Sequence, residues 1–194
     1  YVWDGATADT FAGGTGTVDD PFLISNGAQL YKMVTEYSNA SGDKGSINKQ
    51  YYFKLTNDIH LNDVTAEDLA TASTESWNTK FNSWYKVTSY SKGFCGDFDG
   101  AGYTVYGLYS NTGYSALIPV LLDGGKVHHV NIKNAYIYGS ESAGGIVGFV
   151  KSHYTLSPVE VSYNTVDNVV ISSNKKYVGG IVGGFADVPI TITD

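Results

Sequence analysis

A glycine-rich element that returns in register restricts this fold more than any other feature of the sequence. Ala143-Gly144-Gly145-Ile146-Val147-Gly148 recurs as Val178-Gly179-Gly180-Ile181-Val182-Gly183. A second frame, V-x-x-V-x-I, joins Val127-His128-His129-Val130-Asn131-Ile132 to Val166-Asp167-Asn168-Val169-Val170-Ile171. An earlier, degenerate copy reads Val105-Tyr106-Gly107-Leu108, then Ala116-Leu117-Ile118-Pro119-Val120. Each unit offers short β-branched strands between glycine or asparagine turns, and none can bury its apolar residues alone. Stacked units bury them together, with glycines supplying the left-handed corners. The expected architecture is therefore all-β: a right-handed parallel β-helix, a solenoid, with one N-terminal capping helix.

That helix is read from Leu30, Met33, Val34 and Tyr37, spaced i, i+3, i+4 and i+7, behind a capping box of Asn26 and Gln29. It is expected to end near Asn39 to Gly42 and to cover an open end of the sheets. From Tyr51 the period changes to two, with Phe53 and Leu55, then Ile59 and Leu61, around an Asn57-Asp58 turn. Residues 62–83 form a long polar insertion, a functional or disordered loop in which Thr65 to Ala70 can make one helical turn. The chain reads as one module, 1–194: an N-terminal turn, strand and helix (1–50), first coils with the insertion (51–110), and repeat coils (111–194). Val188 to Thr193 alternates like one more strand, which implies that the natural chain continues or that another module caps this end.

Composition removes several functions. The 12 basic residues are all lysine, set against 19 acidic ones for a net charge of −7. Without the arginine fork and with an acidic surface, nucleic acid is an unsuitable partner. No run approaches the 18 apolar residues of a membrane span, so no membrane insertion is expected. The single cysteine, Cys95, excludes an internal disulfide and a thiolate metal cluster. It alternates with Phe94 and Gly96, and is expected to face outward as a free thiol if the phenylalanines face inward.

The motifs, in order, resemble the GLUG-repeat family of bacterial surface and secreted proteins. The resemblance rests on Gly13-Gly14-Thr15-Gly16-Thr17 with Asp20-Pro21-Phe22-Leu23-Ile24, on Gln29-Leu30, and on Asp58-Ile59-His60-Leu61. It continues through Trp84, Phe94-Cys95-Gly96-Asp97-Phe98-Asp99-Gly100-Ala101-Gly102-Tyr103-Thr104-Val105 and the two G-G-I-V-G copies. His60 departs from an acidic residue of the pattern, and Ala116 to Pro119 from G-L-F-G. The resemblance implies a β-helical extracellular or cell-surface module with no catalytic residues to carry over and no cofactor.

Candidate chemistry is sparse. Asp97 and Asp99 share one strand face before a Gly100-Ala101-Gly102 turn and are candidate calcium ligands, although the ligand count is short and turn chemistry is the alternative. His128 and His129, as strand neighbours, are expected to point to opposite faces and not to chelate together; His60 and His153 lie far away in sequence. No G-x-S-x-G elbow is present, and no acidic pair is singled out for glycoside chemistry. Trp77, Trp84, Tyr85 and Tyr90 lie in and beside the insertion and are the candidate glycan-binding aromatics, with Trp77 expected to be exposed and Trp84 in the core. Three readings follow: a non-catalytic adhesion, spacer or recognition module, with a glycan, a host or cell-surface protein or neighbouring modules of the same polypeptide as partners; a carbohydrate-binding module; and an enzyme segment of polysaccharide breakdown.

Overall fold

The computed structural model describes residues 1–38, 49–152, 157–175, 177–187 and 189–193. The expected helix end at 39–42, His153 and Val188 lie outside them. Along the chain run β1 (Phe22–Ile24), α1 (Gly27–Glu36), β2 (Tyr52–Leu55), β3 (Ile59–His60), α2 (Ala66–Ala70) and α3 (Thr74–Lys80). Then come β4 (Asp97–Asp99), β5 (Thr104–Tyr106), β6 (Tyr109–Ser115), β7 (Ile118–Leu122), β8 (Lys126–His128) and β9 (Asn131–Gly144). The last are β10 (Val147–Lys151), β11 (Val159–Ser162), β12 (Thr165–Ser173), β13 (Tyr177–Gly179), β14 (Val182–Ala186) and β15 (Ile190–Thr193).

The strands pair in parallel into three sheets, ordered β1-β2-β4-β8-β11-β15, β14-β10-β7 and β12-β9-β5-β3, with β6 and β13 also on β9. The expected β-helix solenoid with a single helix is corrected here. The described residues carry three helices, the sheets are unequal in depth at six, three and six strands, and strand lengths run from 2 to 14 residues. The molecule is mostly β, with several parallel sheets and few helices. The repeat register also differs from the V-x-x-V-x-I frame. Val127 lies opposite Val161 and Ile132 opposite Val166, an offset of 34 residues where that frame has 39. The frame matched residue type; pairing matched whichever side chains share the interior, which a one-residue slip would reverse.

The G-G-I-V-G copies do stand in register, Gly144 beside Gly179 and Val147 beside Val182. A Cβ on Gly144 would sit 2.1 Å from the Val147 carbonyl oxygen, and one on Gly179 would sit 1.9 Å from that of Val182. The first glycine of each copy is therefore required where one strand gives way to the next.

Interior side chains align in columns. Phe53, Phe98, Val127, Val161 and Ile192 form one; Leu121, Val150 and Phe185 a second; Ile59, Val105, Ile132 and Val166 a third. At the β1 and β3 end, α1 adds Leu30, Met33 and Val34 to the same core. The Asn26 side chain accepts the Gln29 N–H, as its cap position predicts, but Gln29 Oε1 accepts from Ser25 N rather than from Asn26. Trp3 and Trp84 both pack against Tyr31 of α1. At the opposite end the columns finish uncovered: Phe185 is 61% and Ile192 52% exposed, where their partners Val150 and Val161 are buried.

Residues 62–83 are not an irregular loop but carry the two short helices α2 and α3. Thr65 caps α2 through a capping box with Asp68, and Ser73 caps α3. Asn62 closes the base, donating from Nδ2 to the Gly107 and Asn82 carbonyls and accepting the Asn82 N–H. Lys80 pairs with Asp68 across the two helices, and together with Thr65 holds that carboxyl down at about 2.

Candidate functional site

The outer face of the first sheet carries the densest set of ionisable side chains. In β2, β4, β8 and β11 the apolar residues point inward, so their neighbours at i±1 stand on the outer face in two cross-strand rows. One row is Tyr52, Asp97, Lys126 and Glu160; the other is Lys54, Asp99, His128 and Ser162. Strands about 4.8 Å apart place opposite charges in contact range. Lys54 Nζ lies 3.6 Å from Asp99 Oδ2, and Lys126 Nζ 3.9 Å from Glu160 Oε2. Such exposed pairs organise the face but stabilise it by only about 0–1 kcal/mol each.

The centre of this face is His128. Its Nε2 is 2.8 Å from Asp97 Oδ1, and its Nδ1 lies 3.6 Å from Asp99 Oδ1. The hydrogen bond with Asp97, above all, raises the His128 pKa above its ordinary value, against the opposing effect of partial burial. Asp99 Oδ1 also accepts the Ala101 N–H at 2.8 Å, the turn role expected of it.

The histidine pair overturns the expectation drawn from strand alternation. His129 follows the last residue of β8 and takes a left-handed φ of 54°, so it does not continue the pleat. The chain turns there toward β9, and the His129 ring swings back beside His128, with the two Nδ1 atoms 2.8 Å apart. On its other side it stacks on Tyr163, itself left-handed, with centroids 4.9 Å apart and 18° between planes. Histidine is among the residues enriched in this backbone region, the one sequence-level signal available.

The four predicted aromatics are not brought together. Trp77, expected to be exposed, is 1% exposed: α3 inserts it against Phe81, Tyr109 and Tyr136, and its Nε1 donates to the Asp68 carbonyl. The physical reason is that two short helices can hold together only around one large apolar side chain. Trp84 is buried in the main core. Tyr85 is half-buried beside Tyr31. Tyr90 alone is exposed, and its ring neighbours are Tyr114 at 5.9 Å and Phe149 at 6.0 Å. Phe149 in turn meets the exposed Tyr177, so the strip actually formed is Tyr90, Tyr114, Phe149 and Tyr177. Its members come from a turn at Tyr90 and from the separate strands β6, β10 and β13, which no local pattern links.

Cys95 is corrected as well. It does lie on the side opposite Phe94, but Tyr114, Val120, Leu122 and Phe149 cover that side, leaving the thiol 4% exposed. Burial, and secondarily the charge of Asp123, pushes its pKa from 9.0 up to about 11. A folded-state value above the unfolded one gives stability that is complete below pH 9 and is lost as pH rises toward about 11. Denaturation midpoints are therefore expected to fall across that interval, and to fall less in Cys95→Ala. Thiol labelling at pH 8 is expected to be slow in the native protein and immediate once it is unfolded.

The fold and face define a mostly β protein of parallel sheets with a polar cross-strand ladder that carries a paired histidine at one corner. No family model matches the chain. Among curated proteins it is similar to the halomucin of Haloquadratum walsbyi, 27% identical over 173 residues, which are 88% of this chain and 2% of that protein. It is also similar to a protein of Evansella cellulosilytica described as a "putative Gly-rich membrane protein", 27% identical over 169 residues, 86% of this chain and 16% of that protein. The chain thus spans a small part of the length of either relative. Among solved structures it is similar to a Bacteroides ovatus protein described as a "putative immunoglobulin A1 protease", with 18% identity, a TM-score of 0.47, and coverage of 94% of this chain and 58% of that one.

Proposed function

We propose that this chain is a non-catalytic module of a longer surface protein, serving as a spacer, adhesion or recognition segment that packs end to end with its neighbours in the same polypeptide. The observation that carries the reading is the asymmetry of the core. α1 covers one end, while the interior columns finish at the other in exposed Phe185 and Ile192, on the edge strands β14 and β15. Open edges with exposed apolar residues call for a partner, and a following segment adds strands to them in the existing register. The resemblance to GLUG repeats supports this, as do relatives that match most of this chain with a small share of their own length. Their names, a halomucin and a membrane protein, support a cell-surface setting.

The test compares the 194-residue chain with the longer polypeptide of its parent protein by amide hydrogen exchange. β14 and β15 are expected to gain protection in the longer polypeptide. Phe185→Lys is expected to change stability by within about 0.5 kcal/mol in the 194-residue chain, where the side chain is exposed, and to destabilise the longer polypeptide. Unchanged exchange in the longer polypeptide overturns the stacking. New reducing ends or peptide fragments from polysaccharide or mucin substrates overturn the non-catalytic reading.

A second reading, glycan binding, is favoured by one feature, the Tyr90–Phe149–Tyr177 strip with Lys151 Nζ 5.9 Å from the Tyr90 ring centroid. Sugar rings stack on such faces. Affinity electrophoresis against plant, mucin and bacterial glycans is expected to show retardation that Tyr90→Ala and Tyr177→Ala abolish; no retardation across the panel removes this reading.

A further inference from the structure

We propose that Asp99, His128 and His129 form a binding site for one divalent cation of the zinc class, with Asp97 as the residue that orients His128. The three side chains each offer one ligand atom, and these atoms all lie within 4.8 Å of one another. A tetrahedral ion with Zn–N bonds of about 2.0–2.1 Å holds its ligand atoms roughly 3.3 Å apart. Two separations in the structure bracket that value: 2.8 Å between the two Nδ1 atoms and 3.6 Å from His128 Nδ1 to Asp99 Oδ1. Adjustment of the His129 ring, which is exposed and lies between His128 and its stack on Tyr163, completes the triangle.

Asp97 is an acceptor 2.8 Å from His128 Nε2, so the proton sits on Nε2 and the Nδ1 lone pair faces His129 and Asp99. A carboxylate behind a ligating imidazole is the arrangement that fixes the tautomer and strengthens the donor in metal sites. Without an ion, His129 Nδ1–H can donate to His128 Nδ1. On binding, that proton is exchanged through solvent to His129 Nε2, the ring stays neutral, and both Nδ1 lone pairs face the ion. Asp99 keeps acceptor capacity on Oδ1 beyond the Ala101 N–H, while Lys54 takes the far oxygen, Oδ2.

The donor set selects the ion. Two imidazole nitrogens and one carboxylate suit zinc, cobalt, nickel or copper, whereas calcium takes six to eight oxygens and Asp99 is the one carboxylate of this group. Three protein ligands leave a fourth position open to water or to a donor from another molecule. The site stands on the first sheet, far in the chain from β14, and does not depend on the stacking proposed above.

The experiment is a titration of the tag-free 194-residue chain with Zn²⁺ in phosphate-free, chelator-free buffer, followed by calorimetry and by histidine nuclear magnetic resonance. One equivalent is expected to bind, with the ring signals of two histidines shifting. His129→Gly, which accepts the left-handed φ, and Asp99→Asn are each expected to weaken binding at least about tenfold, since each removes one of three ligands. Asp97→Asn is expected to weaken it about 10–100-fold and to change the tautomer signature of His128 nitrogen shifts before any metal is added, which a merely structural role would not do. His60→Ala is expected to leave binding unchanged. The proposal is overturned by the lack of saturable binding, by equal competition from Ca²⁺, or by His129→Gly retaining full affinity while its circular dichroism matches that of the parent.

Discussion

Trp84→Ala is expected to cost about 3–5 kcal/mol in chemical denaturation, among the largest effects of any single truncation here. The side chain is 2% exposed and sits between Trp3 and Tyr31, where α1 meets the first strands. Its indole Nε1 donates to the buried Leu117 carbonyl at 2.8 Å, just before β7. Truncation therefore opens a cavity and also strands an acceptor, and these can be separated. Trp84→Phe keeps most of the volume but not the N–H, so it is expected to lose about 1–3 kcal/mol, the cost of an unsatisfied buried carbonyl. A Phe variant as unstable as the Ala variant would show that the hydrogen bond, not the filled volume, holds the joint. Trp77→Ala belongs beside it: its loss is expected to free α2 and α3 from β6 and β9, read as lost amide hydrogen-exchange protection in both helices.

Gly144→Ala is the second large effect. The added methyl would meet the Val147 carbonyl oxygen at 2.1 Å and the Gly183 nitrogen at 2.6 Å. Both are backbone atoms of paired strands and cannot rotate away, so β9, β10 and β14 must separate locally. Overpacking of this kind costs about 1–3 kcal/mol, and here the upper end is expected because no side chain can yield. Gly180→Ala is the control in the matching copy, since a Cβ there meets nothing within 4 Å. Equal stability loss in the two variants would mean that the glycines serve backbone freedom rather than close approach.

Sequence and structure agree where the reason is local. The α1 spacing of Leu30, Met33 and Val34, the Asn26 cap, the Thr65 turn and the Asp99 turn all depend on residues within a few positions of one another. The G-G-I-V-G copies were also legible, because a glycine forced by backbone approach must recur wherever the same corner recurs. They did not foretell the sheet depths, the number of helices or the 34-residue offset that aligns Val127 with Val161.

The site divides in the same way. Sequence by itself determined that Asp97 and Asp99 share a face and that Cys95 opposes Phe94. Tertiary structure decided the rest. Trp77 was hidden by the packing of α2 and α3, where it forms one cluster with Leu69, Tyr109 and Tyr136, and Cys95 by aromatics from strands up to 54 residues away, such as Phe149. The histidine pair turned on one dihedral angle, the φ of 54° at His129. That angle follows from where β8 must stop and β9 begin, and strand pairing across the sheets sets it. Alternation along a strand can be read from sequence; where the alternation ends is fixed by the neighbours that the strand meets.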